Sequence, residues 1–152
     1  MQRILTSALC CTLMLLAQSA LATPDAIAAL IDSKSQTSAT NKQDDALGSF
    51  VKNDHKGCLD DLRFLLDQHP DDVNALFYSG LCAYNLGLYD RARGFLQRAA
   101  GHPVDVFDEE AAWYYALTLD RLKDPGAHDA FQRIANGDGF YSELAKGRIT
   151  AH

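Results

Sequence analysis

His55 and Cys58 stand three residues apart, which sets an imidazole and a thiol on one face of a helix, and His128-Asp129 offers a second imidazole beside a carboxylate. Such pairs are where a metal would be sought. A structural zinc, however, needs four convergent ligands in recognisable pairs, and two isolated partial pairs do not make such a set. His69-Pro70-Asp71-Asp72 brings an imidazole near two carboxylates, but the same residues read as a connection in which Pro ends one helix and Asp caps the next. The adjacent carboxylates Asp44-Asp45, Asp60-Asp61 and Glu109-Glu110 are explained by solvation and by favourable placement at helix starts. There is no Gly-x-Ser-x-Gly elbow, phosphate loop, dinucleotide fingerprint or metalloprotease helix. We therefore assign no catalytic residue, metal ligand or cofactor, and expect a protein that is not an enzyme.

The chain has four cysteines. Cys10 and Cys11 fall in an apolar run near the N-terminus, which leaves Cys58 and Cys82 in the body of the chain. An oxidising compartment would permit one bridge between them if their helices pack side by side. The other reading is that both are small buried residues at tight helix contacts, where free cysteine commonly sits. Composition leaves both open.

Met1, Gln2 and Arg3 precede an apolar stretch from Ile4 to Ala17, followed by Ala20-Leu21-Ala22. That stretch falls short of the roughly 20 residues a transmembrane helix needs, and its end has the small-x-small pattern of a cleavage site. Residues 1–22 are expected to be a signal peptide cleaved after Ala22, giving a periplasmic or secreted protein without a stable membrane span; an uncleaved N-terminal anchor is the alternative. Cleavage would leave 13 basic against 20 acidic residues, a net charge of −7. With the basic residues scattered among acidic pairs, nucleic acid is not an expected partner. The acidity argues for solubility and would favour basic partner segments.

Past the signal, Ala26–Ile31 could make two helical turns, and the polar run Ser33–Asn41 has the composition of a flexible linker. Residues 23–41 are thus expected to be a flexible segment, with a folded domain over 42–152. Beyond Lys42, apolar residues recur at helical spacing, most clearly over Val73–Leu86, Asp90–Ala100 and Glu109–Leu122. Pro70-Asp71-Asp72, Gly87, Gly101-His102-Pro103, Asp124-Pro125-Gly126 and Gly137-Asp138-Gly139 interrupt the pattern. Tight turns alternate with longer connections, so the chain reads as successive helix hairpins.

A shift of 34 residues superposes Ala46 on Gly80, Cys58 on Ala92, Leu62 on Leu96 and Leu65 on Ala99. Small residues fall on small ones, as close helix crossings require. Leu76-Phe77-Tyr78-Ser79-Gly80, Gly87-Leu88-Tyr89-Asp90-Arg91-Ala92, then Leu96 and Ala99 resemble the tetratricopeptide repeat, with Gly80, Ala92 and Ala99 as its small packing positions. Trp113-Tyr114-Tyr115-Ala116-Leu117 resembles the opening of a further repeat, although Lys123 stands where a turn glycine is usual and Pro125-Gly126 lengthens the turn. The first unit departs further, with Gly48 inside its first helix and His55 in place of the turn aromatic. The expected architecture is all-α: a helix-hairpin solenoid of about three repeats, near 41–72, 73–106 and 107–140, with a capping helix over 141–150.

What the resemblance implies about function is a concave surface, lined by the first helix of each hairpin, that holds a protein or peptide. In this chain those positions are Asn74, Phe77, Leu81, Tyr84 and Asn85 in the central repeat, and Tyr114, Thr118 and Arg121 in the next, with Trp113 packed inward. Phe77, Leu81 and Tyr84 would form an exposed apolar strip, covered in another reading by residues Ile27–Ile31 or by a second copy of the chain. The expected function is a non-catalytic adaptor; a regulatory or assembly subunit of an envelope enzyme or secretion complex is the alternative. Few repeats leave terminal faces needing caps, so a homo-oligomer is also open.

Overall fold

The structure is a computed structural model that describes residues 24–104 and 106–150, with side chains from residue 38 onward. The expected signal peptide lies outside the described residues. Seven helices and no strand are found among them: α1 (Pro24–Val51), α2 (His55–Gln68), α3 (Val73–Asn85), α4 (Tyr89–Ala100), α5 (Asp108–Leu122), α6 (Gly126–Ala135) and α7 (Ser142–Thr150). The described residues divide into two units, with the boundary between Thr40 and Asn41. No described helix is long and apolar enough to cross a membrane.

One expectation about local structure fails at the start of α1. Ser33–Asn41, read as a linker from its polarity, lies within a continuous helix of 28 residues. The reason is the absence of a breaker: no Gly or Pro occurs between Asp25 and Leu47, and Pro24 occupies the first helical position, where its missing N–H is harmless. Polarity alone does not stop a helix.

Within residues 41–152 the packing is sequential, α2 on α3, α3 on α4, α4 on α5, α5 on α6 and α6 on α7, with a further contact between α3 and α5. This is the arrangement of a helical-repeat solenoid. The repeat is written in the core: Cys58 and Ala92, Leu62 and Leu96, and Leu65 and Ala99, each pair 34 residues apart, are all 4% exposed or less. Fully burying a leucine contributes about 1.5–3 kcal/mol, so the recurring leucines are a large share of what holds each hairpin together.

The repeat is also written in the backbone. Among the described residues, Asn53, Gly87 and Lys123 have positive φ, at 60°, 74° and 56°. At each, a helix closes with the same pair of bonds. Gly87 N–H donates to Tyr84 C=O (3.0 Å) and Leu88 N–H to Ala83 C=O (2.9 Å). Asn53 and Asp54 do the same to Phe50 and Ser49, and Lys123 and Asp124 to Asp120 and Leu119. This is a Schellman closure, which satisfies orphan carbonyls at the helix end and reverses the chain. Only the central turn uses the residue best suited to a left-handed backbone. Asn tolerates it and Lys does so at a cost of about 1–2 kcal/mol, which is why the outer turns are harder to find by eye. Caps complete the punctuation: Asp54 accepts from Gly57 N–H (2.9 Å) and Asp72 from Ala75 N–H (2.8 Å), while in the turn before α6 Asp124 accepts from Gly126 N–H (2.8 Å).

At Gly80, α3 and α4 cross closely. A methyl group on Gly80 would fall 2.6 Å from Leu96 Cγ and 2.7 Å from Cδ2, and Leu96 is wholly enclosed and has nowhere to swing. A methyl on Gly94 in α4 would meet nothing within 4 Å. Gly80→Ala should therefore destabilise by about 1–2 kcal/mol, overpacking outweighing the gain in helix propensity. Gly94→Ala should stabilise by about 0.5–1 kcal/mol. Equilibrium urea unfolding of both variants checks the opposite signs; equal signs would mean that the helices do not cross at Gly80.

Candidate protein-interaction surface

On α3, Asn74, Phe77, Leu81, Tyr84 and Asn85 follow the three-and-four spacing of one helical face; on α5, Tyr114, Thr118 and Arg121 do likewise. The contact between α3 and α5 sets the two helices side by side. The structure corrects the expectation that all of these face outward. Phe77 is 5% exposed, Leu81 8% and Thr118 0%. They belong to the interior, and no continuous apolar strip is presented to solvent.

The cover comes from the chain's own body. Phe107, in the connection before α5, stacks face to face on Phe77 with ring centroids 4.3 Å apart and an interplanar angle of 9°. Tyr78 meets both rings edge-on and carries the cluster to Phe50 at the end of α1 (centroids 5.4 Å apart). Aromatic pairs of this kind contribute about 0.5–1.5 kcal/mol beyond their burial. Leu81 lies in the same cluster, with Tyr84 and Tyr114 packed against it. Thr118 turns its hydroxyl back along α5, donating to Tyr114 C=O (2.7 Å), which satisfies the buried oxygen. Phe107 was missed in the sequence; the available signal was an aromatic residue placed directly before the acidic helix start Asp108-Glu109-Glu110.

What remains at the surface is aromatic and polar. Tyr84 meets Tyr114 and Tyr89 edge-on, at 5.7 and 5.6 Å between centroids, so α3, α4 and α5 each supply one ring. Arg121 is exposed beside them. The Tyr84 phenol beside its guanidinium raises the arginine pKa, and Tyr89 adds to the effect. Asn74 is half-buried at the start of α3 and Asn85 is exposed at its end. Tyrosine and arginine combine a broad contact area with a hydrogen-bonding tip, the composition that concentrates energy at protein interfaces.

The remaining sequence candidates have structural places. Gly80, Ala92 and Ala99 are buried in the α3–α4 seam. Trp113 is half-buried, stacked on Tyr141 of the α6–α7 connection (5.3 Å, 15°) and edge-on to Phe131 of α6 (5.6 Å). Burial raises the Tyr141 pKa, and Glu110 adds to it. Cys58 turns toward Cys82 and His55 packs edge-on to Phe50, so the three-residue spacing does not gather a ligand set. No group of three or more His, Cys, Asp or Glu able to hold a metal occurs among the described residues.

A concavity of about 390 Å³ is lined by residues of α4, α5, α6 and the start of α7, among them Ala100, Ala112, Arg133, Ile134 and Tyr141. Glu109 closes one side by accepting the Phe140 N–H (3.0 Å), its carboxylate filling the space where a side chain on Gly139 would stand. No protein-family model matches the chain, and no curated protein or solved structure matches it.

The burial of Phe77 makes a direct prediction. Phe77→Ala should lower stability by about 3–5 kcal/mol, as for a core aromatic, whereas Asn85→Ala should change it by less than about 0.5 kcal/mol. Denaturant unfolding monitored by circular dichroism separates the two; a near-neutral Phe77 variant would restore the exposed strip.

Proposed function

We propose that the chain is a non-catalytic, protein-binding adaptor of the tetratricopeptide type, exported to the periplasm, which holds a partner segment on the face shared by α3 and α5. The observation that carries this reading is the rim of Tyr84, Tyr89, Tyr114 and Arg121, drawn from three helices onto one surface. Stacked hairpins give such a rim a rigid base, so a partner pays little for ordering the receptor and mainly for ordering itself.

The tetratricopeptide assignment is supported by the 34-residue recurrence of buried positions and by the recurring turns at Asn53, Gly87 and Lys123. Export is supported by the composition of residues 1–22. The working surface differs from a greasy strip: Phe77, Leu81 and Thr118 form its support, and Tyr84, Asn85, Tyr114 and Arg121 are the side chains a partner would touch.

A photo-crosslinking side chain placed at Asn85 should capture a discrete partner in intact cells, while the same group at the exposed Arg91 on α4 should not. Combining the Asn85 probe with Tyr84→Ala and Tyr114→Ala should reduce capture by at least about tenfold, the loss of one modest hot spot. Capture from Arg91 alone, or capture unaffected by a folded Tyr84→Ala/Tyr114→Ala variant, would move the binding surface elsewhere.

A further inference from the structure

Cys58 in α2 and Cys82 in α3 are both wholly shielded from solvent, and their sulfur atoms lie 2.7 Å apart as free thiols. Packing by itself does not ask for cysteine at either position. Thirty-four residues after Cys58 the equivalent place is filled by Ala92, and thirty-four before Cys82 it is filled by Gly48. Small size is what the repeat requires there, yet at this one seam both partners carry sulfur. We infer that Cys58 and Cys82 are a disulfide-forming site, a reversible covalent tie between the first hairpin and the central one.

In the docked state the two thiols differ. The Cys82 S–H donates to Cys58, which lowers the Cys58 pKa, while Cys82 is raised by making that donation and by burial. Once α2 has lifted away that contact is lost, and either cysteine can open the exchange as its thiolate, Cys58 for example. That thiolate displaces one thiol from a small external disulfide such as oxidised glutathione, forming a mixed disulfide. Cys82 then loses its proton and attacks the Cys58 sulfur, releasing the second external thiol. Two protein thiols are oxidised, one external disulfide is reduced to two thiols, and two protons pass to the departing thiolates.

Access decides when this happens. Neither sulfur can be reached while α2 lies on α3, so oxidation belongs to folding, before the two helices dock, or to openings in which α2 lifts away. The same burial protects the finished bond from reductants. A bridge closing a span of 24 residues also removes much freedom from the unfolded chain.

The full chain, refolded with mixed reduced and oxidised glutathione, is alkylated in denaturant without reduction and cut with trypsin. The expected product joins the peptides Gly57–Arg63 and Phe64–Arg91, two hydrogens lighter than their sum, with neither cysteine alkylated. Its thermal midpoint should exceed that of the reduced chain by on the order of 10 °C, and a Cys58→Ala/Cys82→Ala chain should show no redox dependence. The inference is overturned by alkylation at Cys58 and Cys82, by glutathione retained on either, or by a bridge from either to Cys10, Cys11 or another chain. Peptide mapping reads the native sequence, so the result stands even if the double variant folds poorly.

Discussion

The close approach of α3 and α4 at Gly80 is the constraint from which the rest of the domain follows. Because no side chain stands between them there, Leu96 fills the space that a Gly80 methyl would need, and Ala92 and Ala99 keep the rest of the seam narrow. That fixes how α4 presents its other side to α5, and therefore where α5 lies against α3. The Tyr84–Tyr114 contact, on which the candidate surface depends, joins α3 to α5 four residues beyond Gly80. Close-packed interiors transmit such displacements instead of absorbing them.

Charged contacts play a secondary part around this seam. Arg98 of α4 reaches Asp71 (2.9 Å) and the carbonyl of Pro70 ahead of α3, Arg93 reaches Asp124 at the turn into α6 (3.5 Å), and Lys42 meets Asp61 across α1 and α2 (2.6 Å). The Arg93 pair reaches forward into the third repeat, Arg98 reaches back to the connection ahead of its own, and Lys42 and Asp61 lie within the first. Exposed pairs of this kind contribute about 0–1 kcal/mol, enough to favour a register but not to create it. The ends of the stack are less well covered. Phe140 and Leu144 remain 80% and 52% exposed at the C-terminal side, and α7 buries only Ser142 and Ala145 fully. A stack of hairpins has this asymmetry built in, since each unit completes the one before it and the last has no successor.

Much of the fold was legible because its signals are local. Helical spacing, Pro- and Gly-bearing breaks and the 34-residue recurrence of small residues each involve side chains a few positions apart or a fixed shift along the chain. What was not legible depends on partners distant in sequence. Phe77 looked like an outward anchor because helical spacing gives a face but not what lies on it, and Phe107 is 30 positions away in a connection with no periodicity of its own. Thr118 looked like a polar surface residue because its internal bond to Tyr114 is invisible in composition. Ser33–Asn41 looked like a linker because polarity was weighed above the lack of a helix breaker. The nearness of Cys58 and Cys82 could be posed as a question from their spacing, but only the side-by-side packing of α2 and α3 brings the sulfurs together.

Native-state hydrogen exchange, resolved by residue, tests the dependence of the domain on its central seam most directly. If α3 and α4 are the base on which the other helices rest, the amides of Leu76–Ala83 and Ala92–Ala99 exchange last and only through global unfolding, while those of α6 and α7 exchange earlier through partial openings. Amides in α6 or α7 that outlast those of α3 and α4 would contradict this account, and would place the stability centre in the third hairpin and its cap.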